Sequence, residues 1–339
     1  MSVGITDGKV GESEGKGKGP GALAYHTAVV YKRGMFVFGG EFDEQQEKIF
    51  YRLDLDTLEW TTLDFKLLEG PIEAHTALVY ENRMIVFGGL ESDKGEKLNT
   101  LFEYHFEENK WTKHSADSVA ARQHHLAWIS GSKMFIFGGC TELEDNGVGF
   151  NDSYRNDIHS LDLNTMTWTG PIKVQGSLLP RSESQAACFA GTAVYIFGGY
   201  SENEFHHSTY YNNGLRFAIP ESGDITVSGM ISHDGLTPSM RAGCTLTIDA
   251  ENRRALLVGG YYAQRFQVHG DVWELSVTKR ARNQPDGGII KCGHCDKVGV
   301  WKKCARCMAV GYCGADCQRA GWKSHKKDCV KKEKDGDDE

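Results

Sequence analysis

Residues 35–40 read MFVFGG, an apolar run closed by two glycines, and four later stretches repeat this form. They are MIVFGG (84–89), MFIFGG (134–139), VYIFGG (194–199) and ALLVGG (255–260). The first glycines of successive pairs lie 49, 50, 60 and 61 residues apart. Self-similarity at such a spacing indicates an architecture built from stacked copies of one unit. The glycines suit positions where φ is positive or where a Cβ atom would clash.

Each repeat carries further markers at fixed distances from its glycines. His26, His75, His125 and Gln185 stand thirteen residues before the first glycine, each in an apolar, strand-like stretch. Leu53, Tyr104 and Leu161 each precede a tryptophan by seven residues, at Trp60, Trp111 and Trp168. We therefore predict four antiparallel strands per repeat, of which the second ends in Gly-Gly and the fourth opens with tryptophan. One such sheet cannot bury both of its faces, whereas a series of packed sheets can.

This pattern resembles the Kelch repeat of β-propellers. The resemblance implies a mainly β fold in residues 21–278, with five visible blades and room for a degenerate sixth in the two longer spacings. The tryptophan marker is absent from the fourth repeat (GLRFAIPESG, 214–223) and from the fifth. We expect residues 1–20 to be flexible, with the stretch 5–10 as a strand that closes the ring.

The predicted connections differ in length. Turns between strands 1 and 2 and between strands 3 and 4 are short, whereas the connections on the opposite face are predicted as long loops at 41–48, 140–156, 200–213, 220–240 and 261–270. Long loops on a rigid scaffold often carry binding residues, and Tyr and Arg are favoured interface anchors. We predict a protein-binding face formed by Tyr154, Arg155, Tyr210, Tyr211, Tyr261, Tyr262 and Arg265. The alternative is that these side chains pack on their own blades. His26, His75 and His125 recur once per repeat, which favours a core role over a ligand role.

Seven of the ten cysteines lie between residues 292 and 329. With one histidine they form four pairs: Cys292-x2-Cys295, Cys304-x2-Cys307, Cys313-x3-Cys317 and His325-x3-Cys329. Thiolate and imidazole are the preferred donors of zinc, and eight donors fill two tetrahedral sites without an open position. We therefore predict two structural Zn²⁺ ions, which also supply folding energy to this small segment. The x3 spacing places His325 and Cys329 on a predicted helix, with Cys313 and Cys317 at its approach.

Residues 292–329 resemble a MYND-type zinc finger, most specifically in Cys317-Gln318-x3-Trp322-x2-His325-x3-Cys329. The resemblance implies interleaved zinc ligation, with Cys292, Cys295, Cys313 and Cys317 on one ion and Cys304, Cys307, His325 and Cys329 on the other. It also implies binding of a short proline-rich peptide, with Gln318 and Trp322 at contacting positions. The alternative for Trp322 is packing beneath the helix. We expect a linker at 279–291 and a charged, disordered tail at 330–339.

Charge is unevenly distributed along the chain. Residues 291–334 hold 12 Lys or Arg against 4 Asp or Glu, a balance of +8, and residues 335–339 contribute −4. Since the whole chain carries −8, the preceding 290 residues carry −12. Seven thiolates and two Zn²⁺ ions would lower the +8 to about +5. One alternative is a nucleic-acid-associated regulator that binds through a basic helix at 319–334. The reduced positive charge and the acidic tail both disfavour it.

We predict a non-enzymatic protein-interaction adaptor. The propeller face would bind one protein, and the finger would bind a proline-rich peptide of another. The sequence has no Gly-rich phosphate loop, Gly-x-Ser-x-Gly elbow or HExxH motif. The other alternative is an enzyme with its site in the loop face of the propeller. Without a signal-peptide pattern or a membrane-spanning run, we expect a cytoplasmic or nuclear protein with no membrane partner.

Overall fold

The structure is a computed structural model and is mainly β. It describes residues 16–41, 50–68, 70–142, 152–176, 178, 186–190, 193–202, 207–219, 225–230, 237–249, 254–276, 290–292, 294, 295, 298, 299, 302–304, 307, 310–327 and 329. The chain divides into two compact units. The first comprises Met1–Ile129 with Leu163–Trp168, and the second comprises Ser130–Asp162 with Thr169–Glu339.

The first two repeats each form a four-stranded antiparallel sheet. The first sheet has the order β1-β2-β3-β4, with strands β1 (Thr27–Tyr31), β2 (Gly34–Phe38), β3 (Phe50–Asp54) and β4 (Trp60–Thr62). The second repeat contains β5 (Ile72–Glu73), β6 (Thr76–Tyr80), β7 (Arg83–Phe87), β8 (Leu90–Glu91), β9 (Glu96–Lys97), β10 (Leu101–His105) and β11 (Lys110–His114). Its main sheet has the order β11-β10-β7-β6, and β5, β8 and β9 form a small second sheet.

The next two repeats follow the same plan. The third repeat contains β12 (Leu126–Ser130), β13 (Lys133–Phe137), β14 (Cys140–Glu142), β15 (Asp152–Tyr154), β16 (Ile158–Asp162) and β17 (Thr167–Thr169), with a main sheet β12-β13-β16-β17. The fourth contains β18 (Val174–Gln175), β19 (Ala186–Ala190), β20 (Ala193–Phe197), β21 (Tyr200–Glu202), β22 (Ser208–Tyr210), β23 (Gly214–Ala218) and β24 (Ile225–Met230). Its five-stranded sheet has the order β18-β24-β23-β20-β19, in which β18 is parallel to β24.

The fifth repeat and the cysteine-rich segment complete the described structure. The repeat contains β25 (Thr245–Asp249), β26 (Arg254–Val258), β27 (Tyr261–Tyr262), a 3-10 helix (Ala263–Arg265), β28 (Gln267–Val268) and β29 (Val272–Ser276), with a main sheet β25-β26-β29. The segment after it contains β30 (Ile290–Lys291), β31 (Val298–Gly299), β32 (Lys302–Lys303), β33 (Gly311–Tyr312) and helix α1 (Ala315–His325).

The paired glycines allow one repeat to approach the next closely. Gly39 has φ of +63°, and a Cβ atom there would lie 2.1 Å from the carbonyl oxygen of Ile72 in the second repeat. Its neighbour Gly40, with φ of +101°, donates its N–H to that same carbonyl at 2.8 Å. Gly89 donates to Arg122 in the same way, at 2.8 Å. An L side chain would be strained by the backbone angle and would also clash with the neighbouring backbone.

The tryptophan markers pack between repeats in the first unit. Trp111 pairs with Tyr104, and its ring lies 5.0 Å from that of Phe38, the residue before the first Gly-Gly pair. Trp168 lies 4.8 Å from Phe87, which holds the same position before the second pair. The core cluster of this unit comprises Phe36, Phe38, Phe50, Ile72, Met84, Val86, Phe102 and Tyr104. In the second unit a core cluster comprises Ala193, Tyr195, Phe197, Cys244, Leu246, Ala255, Leu257 and Leu275.

Two of the recurring histidines, His75 and His125, are buried and link successive repeats, whereas His26 is exposed, so the predicted core role is wrong for His26. The hydroxyl oxygen of Thr27 lies 2.7 Å from Nε2 of His75, and that of Thr76 lies 2.8 Å from Nε2 of His125. Burial lowers the pKa of His75 to about 3, helped by His26, and burial holds the pKa of His125 well below its usual range. Both rings are therefore neutral core groups, in agreement with the interpretation from sequence. The third repeat has Leu126 at the position of Thr27 and Thr76, so it has no hydroxyl for the corresponding contact.

Several predicted loops are wrong in part, because they contain short strands. The connections that follow Cys140, Tyr200 and Tyr261 begin as hairpins, β14–β15, β21–β22 and β27–β28. The predicted loop 220–240 contains β24, which is the fourth strand of its sheet although it lacks tryptophan. The predicted ring-closing stretch 5–10 lies outside the described residues. Lys16 forms a parallel bridge with Glu59 beside β4.

Candidate functional site

The eight donors of the cysteine-rich segment come together in two groups of four. The groups are Cys292, Cys295, Cys313 and Cys317, and Cys304, Cys307, His325 and Cys329, with the ligand atoms of each group all within 4.8 Å of one another. Sulfur atoms lie 3.5 Å apart in Cys295 and Cys313 and 3.7 Å apart in Cys304 and Cys329. Two sulfurs on one tetrahedral zinc at 2.3 Å would lie about 3.8 Å apart. The donor set therefore fits two zinc ions, in the interleaved grouping that the family resemblance implies.

Short paired segments and one helix position these donors. A bridge joins Cys292 to Gly311, and the N–H of Cys304 donates to the carbonyl of Val310 at 2.7 Å. Helix α1 has Asp316 in its first turn and Lys323 in its last, which suits the helix dipole. Cys317 and His325 lie on this helix.

The prediction that His325 and Cys329 share a helix is wrong, because α1 ends at His325. Beyond it the chain turns, and the sulfur of Cys329 meets that of Cys304. A spacing of four residues brings two donors to one ion in a turn as well as in a helix.

The cysteine groups resist joint ionisation when they lack a cation. Burial opposes ionisation of Cys292, but the backbone N–H groups of Cys313, Cys295 and His294 outweigh it and lower the pKa of Cys292 to about 6. Contacts with the sulfurs of Cys313 and Cys295 raise the pKa of Cys317 to about 12. The close approach of the sulfurs therefore opposes ionisation of Cys317. A divalent cation would neutralise the charge of the thiolates and allow several to ionise together, which is the chemistry expected of a zinc site.

Gln318 and Trp322, the predicted peptide contacts, lie one helical turn apart on α1, and both are exposed. The Trp322 side chain is 40% exposed, and its ring lies 5.6 Å from the ring of His325. Trp322 therefore packs against His325 on one side and leaves much of its surface open to a ligand.

A row of tyrosines crosses three hairpins of the second unit. The ring of Tyr154 lies 6.1 Å from Tyr200, which stacks on Tyr210 at 5.3 Å. Tyr210 in turn lies 4.9 Å from Tyr262 and 6.3 Å from Tyr261. Tyr210 is buried, so it packs among its neighbours, as the alternative interpretation from sequence allowed, and does not form part of an open face. The guanidinium of Arg265 lies 5.9 Å from the ring of Tyr262. We call Tyr154, Tyr200, Tyr210, Tyr261, Tyr262 and Arg265 the tyrosine row.

Two of the predicted face residues lie beside this row. The hydroxyl groups of Tyr211 and Ser201 lie 2.8 Å apart. Arg155 donates from Nε to the hydroxyl of Thr141 at 3.0 Å within its own hairpin. Arg155 therefore supports its hairpin, as the alternative interpretation from sequence allowed.

Sequence reasoning missed Tyr200 and Phe266. Tyr200 directly follows a Gly-Gly pair, as Tyr261 does, and this shared position was a signal for it. Phe266 is 97% exposed and has φ of +50°, at the end of the 3-10 helix. Its turn is anchored, because Gln264 donates to the carbonyl of Ser208 in the neighbouring hairpin and accepts from the hydroxyl of Tyr262.

A buried arginine supports the base of the same hairpin. Arg241 is fully buried and donates to both carboxylate oxygens of Asp271, at 2.5 and 2.9 Å. It also donates to the carbonyl of Gly259 at 2.9 Å and to the carbonyl and hydroxyl of Ser239. The guanidinium holds the pKa of Asp271 well below its usual range. With all of its donors engaged, Arg241 acts as a structural clamp.

Family comparisons agree with the repeat pattern. Residues 5–199 and 74–287 match the family described as the KLHDC2/KLHL20/DRC7 Kelch-repeats domain. The chain belongs to this Kelch-repeat family. Residues 292–329 match the MYND finger family. The fold class predicted from sequence, a mainly β Kelch-type propeller followed by a small zinc-stabilised module, is confirmed.

Similar proteins carry Kelch domains in their names. Kelch domain-containing protein 3 of Bos taurus is 33% identical over 123 residues, 35% of this chain and 30% of that protein. Kelch domain-containing protein 1 of Homo sapiens is 26% identical over 289 residues, 76% of this chain and 68% of that protein. The match thus spans less than a third of the first relative. The solved "Structure of YjhT" has a TM-score of 0.55 at 15% identity and covers 85% of this chain and 86% of that one; this likeness shows the fold alone.

Kelch repeats and MYND fingers are protein-interaction modules and are typically non-enzymatic, and this Kelch protein carries both. Each of the two cysteine groups can bind one zinc ion. Among the described residues, no helix is both long and apolar enough to cross a lipid bilayer.

Proposed function

We propose that this Kelch protein is an adaptor that holds two proteins at once, in the cytoplasm or the nucleus. The partly exposed members of the tyrosine row, with Phe266, bind a folded partner, and the buried Tyr210 supports them from below. Gln318 and Trp322 on the finger bind a proline-rich segment of another protein. Two weak sites on one chain gain affinity from the high effective concentration of the second partner.

The observation that carries this proposal is the pairing of large exposed side chains with rigid support in two separate places. Phe266 is 97% exposed, yet its turn is fixed by Gln264 and by the Arg265–Tyr262 contact. Trp322 is 40% exposed, yet its ring packs on a metal ligand. Aromatic side chains held in place lose little conformational entropy on binding, which makes them effective interface anchors.

The proline-rich ligand is favoured at the finger because an extended proline-rich segment docks on exposed aromatic rings at low entropic cost. The side-chain amide of Gln318, one turn before Trp322, offers both a donor and an acceptor to the backbone of such a segment. We propose that the finger recruits the protein that carries this proline-rich segment, since the finger is compact and zinc-stabilised.

A double-dissociation experiment tests the proposal. The full chain would be purified from native cell extract beside Trp322→Ala and Phe266→Ala, and the retained proteins identified by mass spectrometry. A panel of labelled proline-rich peptides would then be titrated against the same three proteins. We expect Trp322→Ala to lose at least tenfold in peptide affinity while its zinc content and its other partners are unchanged. Phe266→Ala should show the reverse pattern.

The design separates the two halves of the proposal. If all three proteins bind the peptides equally, the finger is not the recruiting site. If all three retain the same partners from extract, the tyrosine row is not the second site. If neither variant differs from the wild type, the adaptor proposal fails.

A further inference from the structure

The exposed side of helix α1 is strongly basic. Residues 315–327 hold four Lys or Arg against one Asp, in a chain whose net charge is −8. The single Asp, Asp316, is already in contact with Arg319. Lys323, Lys326 and Lys327 are exposed, and none of them forms an ion pair with another residue that the structure describes. We call these three lysines the basic patch, and it offers three positive charges to a ligand.

The basic patch continues the row of the predicted peptide contacts. Gln318, Trp322 and Lys326 follow one another at intervals of four residues, about one helical turn each, which places them on one side of the helix. The helical geometry holds through Lys326, because its N–H donates to the carbonyl of Trp322 at 2.9 Å. Lys323 directly follows Trp322, and Lys327 directly follows Lys326. A segment that lies along Gln318 and Trp322 therefore meets positive charge at one end of the row.

We propose that the proline-rich segment bound by the finger carries acidic side chains next to its prolines, and that the basic patch binds their carboxylates. This inference rests on the proposed function, because the segment must first dock on Gln318 and Trp322. One exposed ion pair contributes little by itself. Three charges beside a docked segment nevertheless discriminate between acidic and neutral segments, and they speed the encounter with the acidic ones.

An acidic protein segment fits this surface better than a nucleic acid does. Nucleic acids are held by cations that neutralise many phosphates along a backbone. The free positive charges of the basic patch are instead confined to residues 323–327. They also adjoin Gln318, whose side-chain amide suits a peptide backbone. The surface therefore favours a short protein segment with a few carboxylates.

The test compares peptides that differ only in their flanking charge. A labelled ten-proline peptide with four glutamates at one end is titrated against the zinc-loaded full chain. A second peptide has four glutamines at that end, and a third has the glutamates at the other end. We expect one of the glutamate peptides to bind about three to ten times more tightly than the glutamine peptide at about 50 mM salt. Raising the salt to about 500 mM should remove most of this preference.

Substitution of the basic patch should remove the preference alone. The triple variant Lys323→Gln, Lys326→Gln and Lys327→Gln should bind two zinc ions and should bind the glutamate and glutamine peptides equally. Trp322→Ala should instead weaken the binding of both peptides by a similar factor. Lys133→Gln, at an exposed lysine of the repeats, is the control and should match the wild type. If the triple variant binds fewer than two zinc ions, the salt dependence of the wild type decides, and a preference unchanged at high salt overturns the inference.

The outcomes separate this inference from the proposed function. If the wild type binds the glutamate and glutamine peptides equally, the inference is overturned and the proline-rich ligand stands. If the wild type binds none of the three peptides, both are overturned. If a short DNA duplex displaces the glutamate peptide at a concentration equal to or below that of the unlabelled peptide, the patch is a nucleic-acid site and the choice of partner is wrong.

Discussion

In the repeats of the first unit the fully buried large side chains include Phe38, Phe50 and Phe102, whereas in the described part of the finger the buried side chains are metal ligands and Tyr312. The repeats thus remove apolar area from water, at about 25 cal/mol per Å². The finger has too few apolar residues for this. Its closely spaced thiols oppose one another's ionisation until a cation binds them. The two regions therefore depend on different solution conditions, and each can be perturbed without the other.

Removing zinc should have the largest effect of all and should act on the finger alone. The metal contributes about 10 kcal/mol or more per structural site, and the finger has no comparable core to replace it. We expect a chelator to remove two zinc ions per chain and to abolish the helical signal of α1, with the thermal transition of the repeats unchanged. Metal analysis, circular dichroism and limited proteolysis would show this. A finger that resists protease after complete metal removal would contradict the comparison.

Gly39→Ala should have the next largest effect and should act on the repeats alone. The new methyl group would lie 2.1 Å from the carbonyl oxygen of Ile72, and φ of +63° adds backbone strain. We expect a loss of about 3–5 kcal/mol in the free energy of unfolding by urea, with zinc content unchanged.

Gly270→Ala is the control for this substitution, because its Cβ meets no atom within 4 Å. It should change the free energy by less than about 0.5 kcal/mol. Equal losses in the two variants would show that the close approach at Gly39 does not stabilise the repeats.

Acidification should destabilise the repeats through their buried histidines. Folding lowers the pKa of His75 from its usual 6.5 to about 3. Between these values the unfolded chain binds a proton that the folded chain does not, so stability falls as pH falls through this window. His75→Gln installs the residue that the fourth repeat has at this position. We expect it to reduce the loss of unfolding free energy between pH 7.5 and pH 5 by about 2 kcal/mol.

Urea titrations at the two pH values would measure this difference, with His207→Gln, at an exposed histidine, as the control. If His75→Gln and the wild type lose the same unfolding free energy between the two pH values, His75 is not the group responsible for the acid sensitivity.

The smallest effect is expected for a surface ion pair of the finger. Arg319 and Asp316 contact one another on α1, with side chains 79% and 92% exposed. Exposed pairs contribute little, so Arg319→Ala should leave the zinc release rate and the thermal stability within error of the wild type. A marked loss of zinc would show that the finger depends on its surface charges as well as on its metal.

The repeated strands and the metal donors could be predicted from sequence because both depend on short-range spacing. The seven-residue interval between Tyr104 and Trp111, noted from sequence, corresponds in the structure to a cross-strand pair of β10 and β11. Strand β24 was missed because ITVSGM carries neither tryptophan nor a Gly-Gly pair. The end of α1 was misplaced because a turn satisfies the spacing of His325 and Cys329 as well as a helix does.

The tyrosine row could be predicted only in part. Most of its members were found by residue type, since tyrosine and arginine in long connections suggest an interface. Tyr200 and Tyr210 are cross-strand partners within one hairpin, whereas the contact between Tyr154 and Tyr200 depends on how hairpins of two neighbouring repeats pack. No local pattern encodes such a contact.

The interleaved ligand groups also determine what a single cut in the backbone would do. A break between residues 308 and 311 would leave each fragment with two donors for each ion, because Cys292, Cys295, Cys304 and Cys307 precede it and Cys313, Cys317, His325 and Cys329 follow it. Neither fragment could complete a tetrahedral site by itself. The two pieces would reassemble only with both ions present, so the finger is a natural template for a split peptide pair whose association reports free zinc.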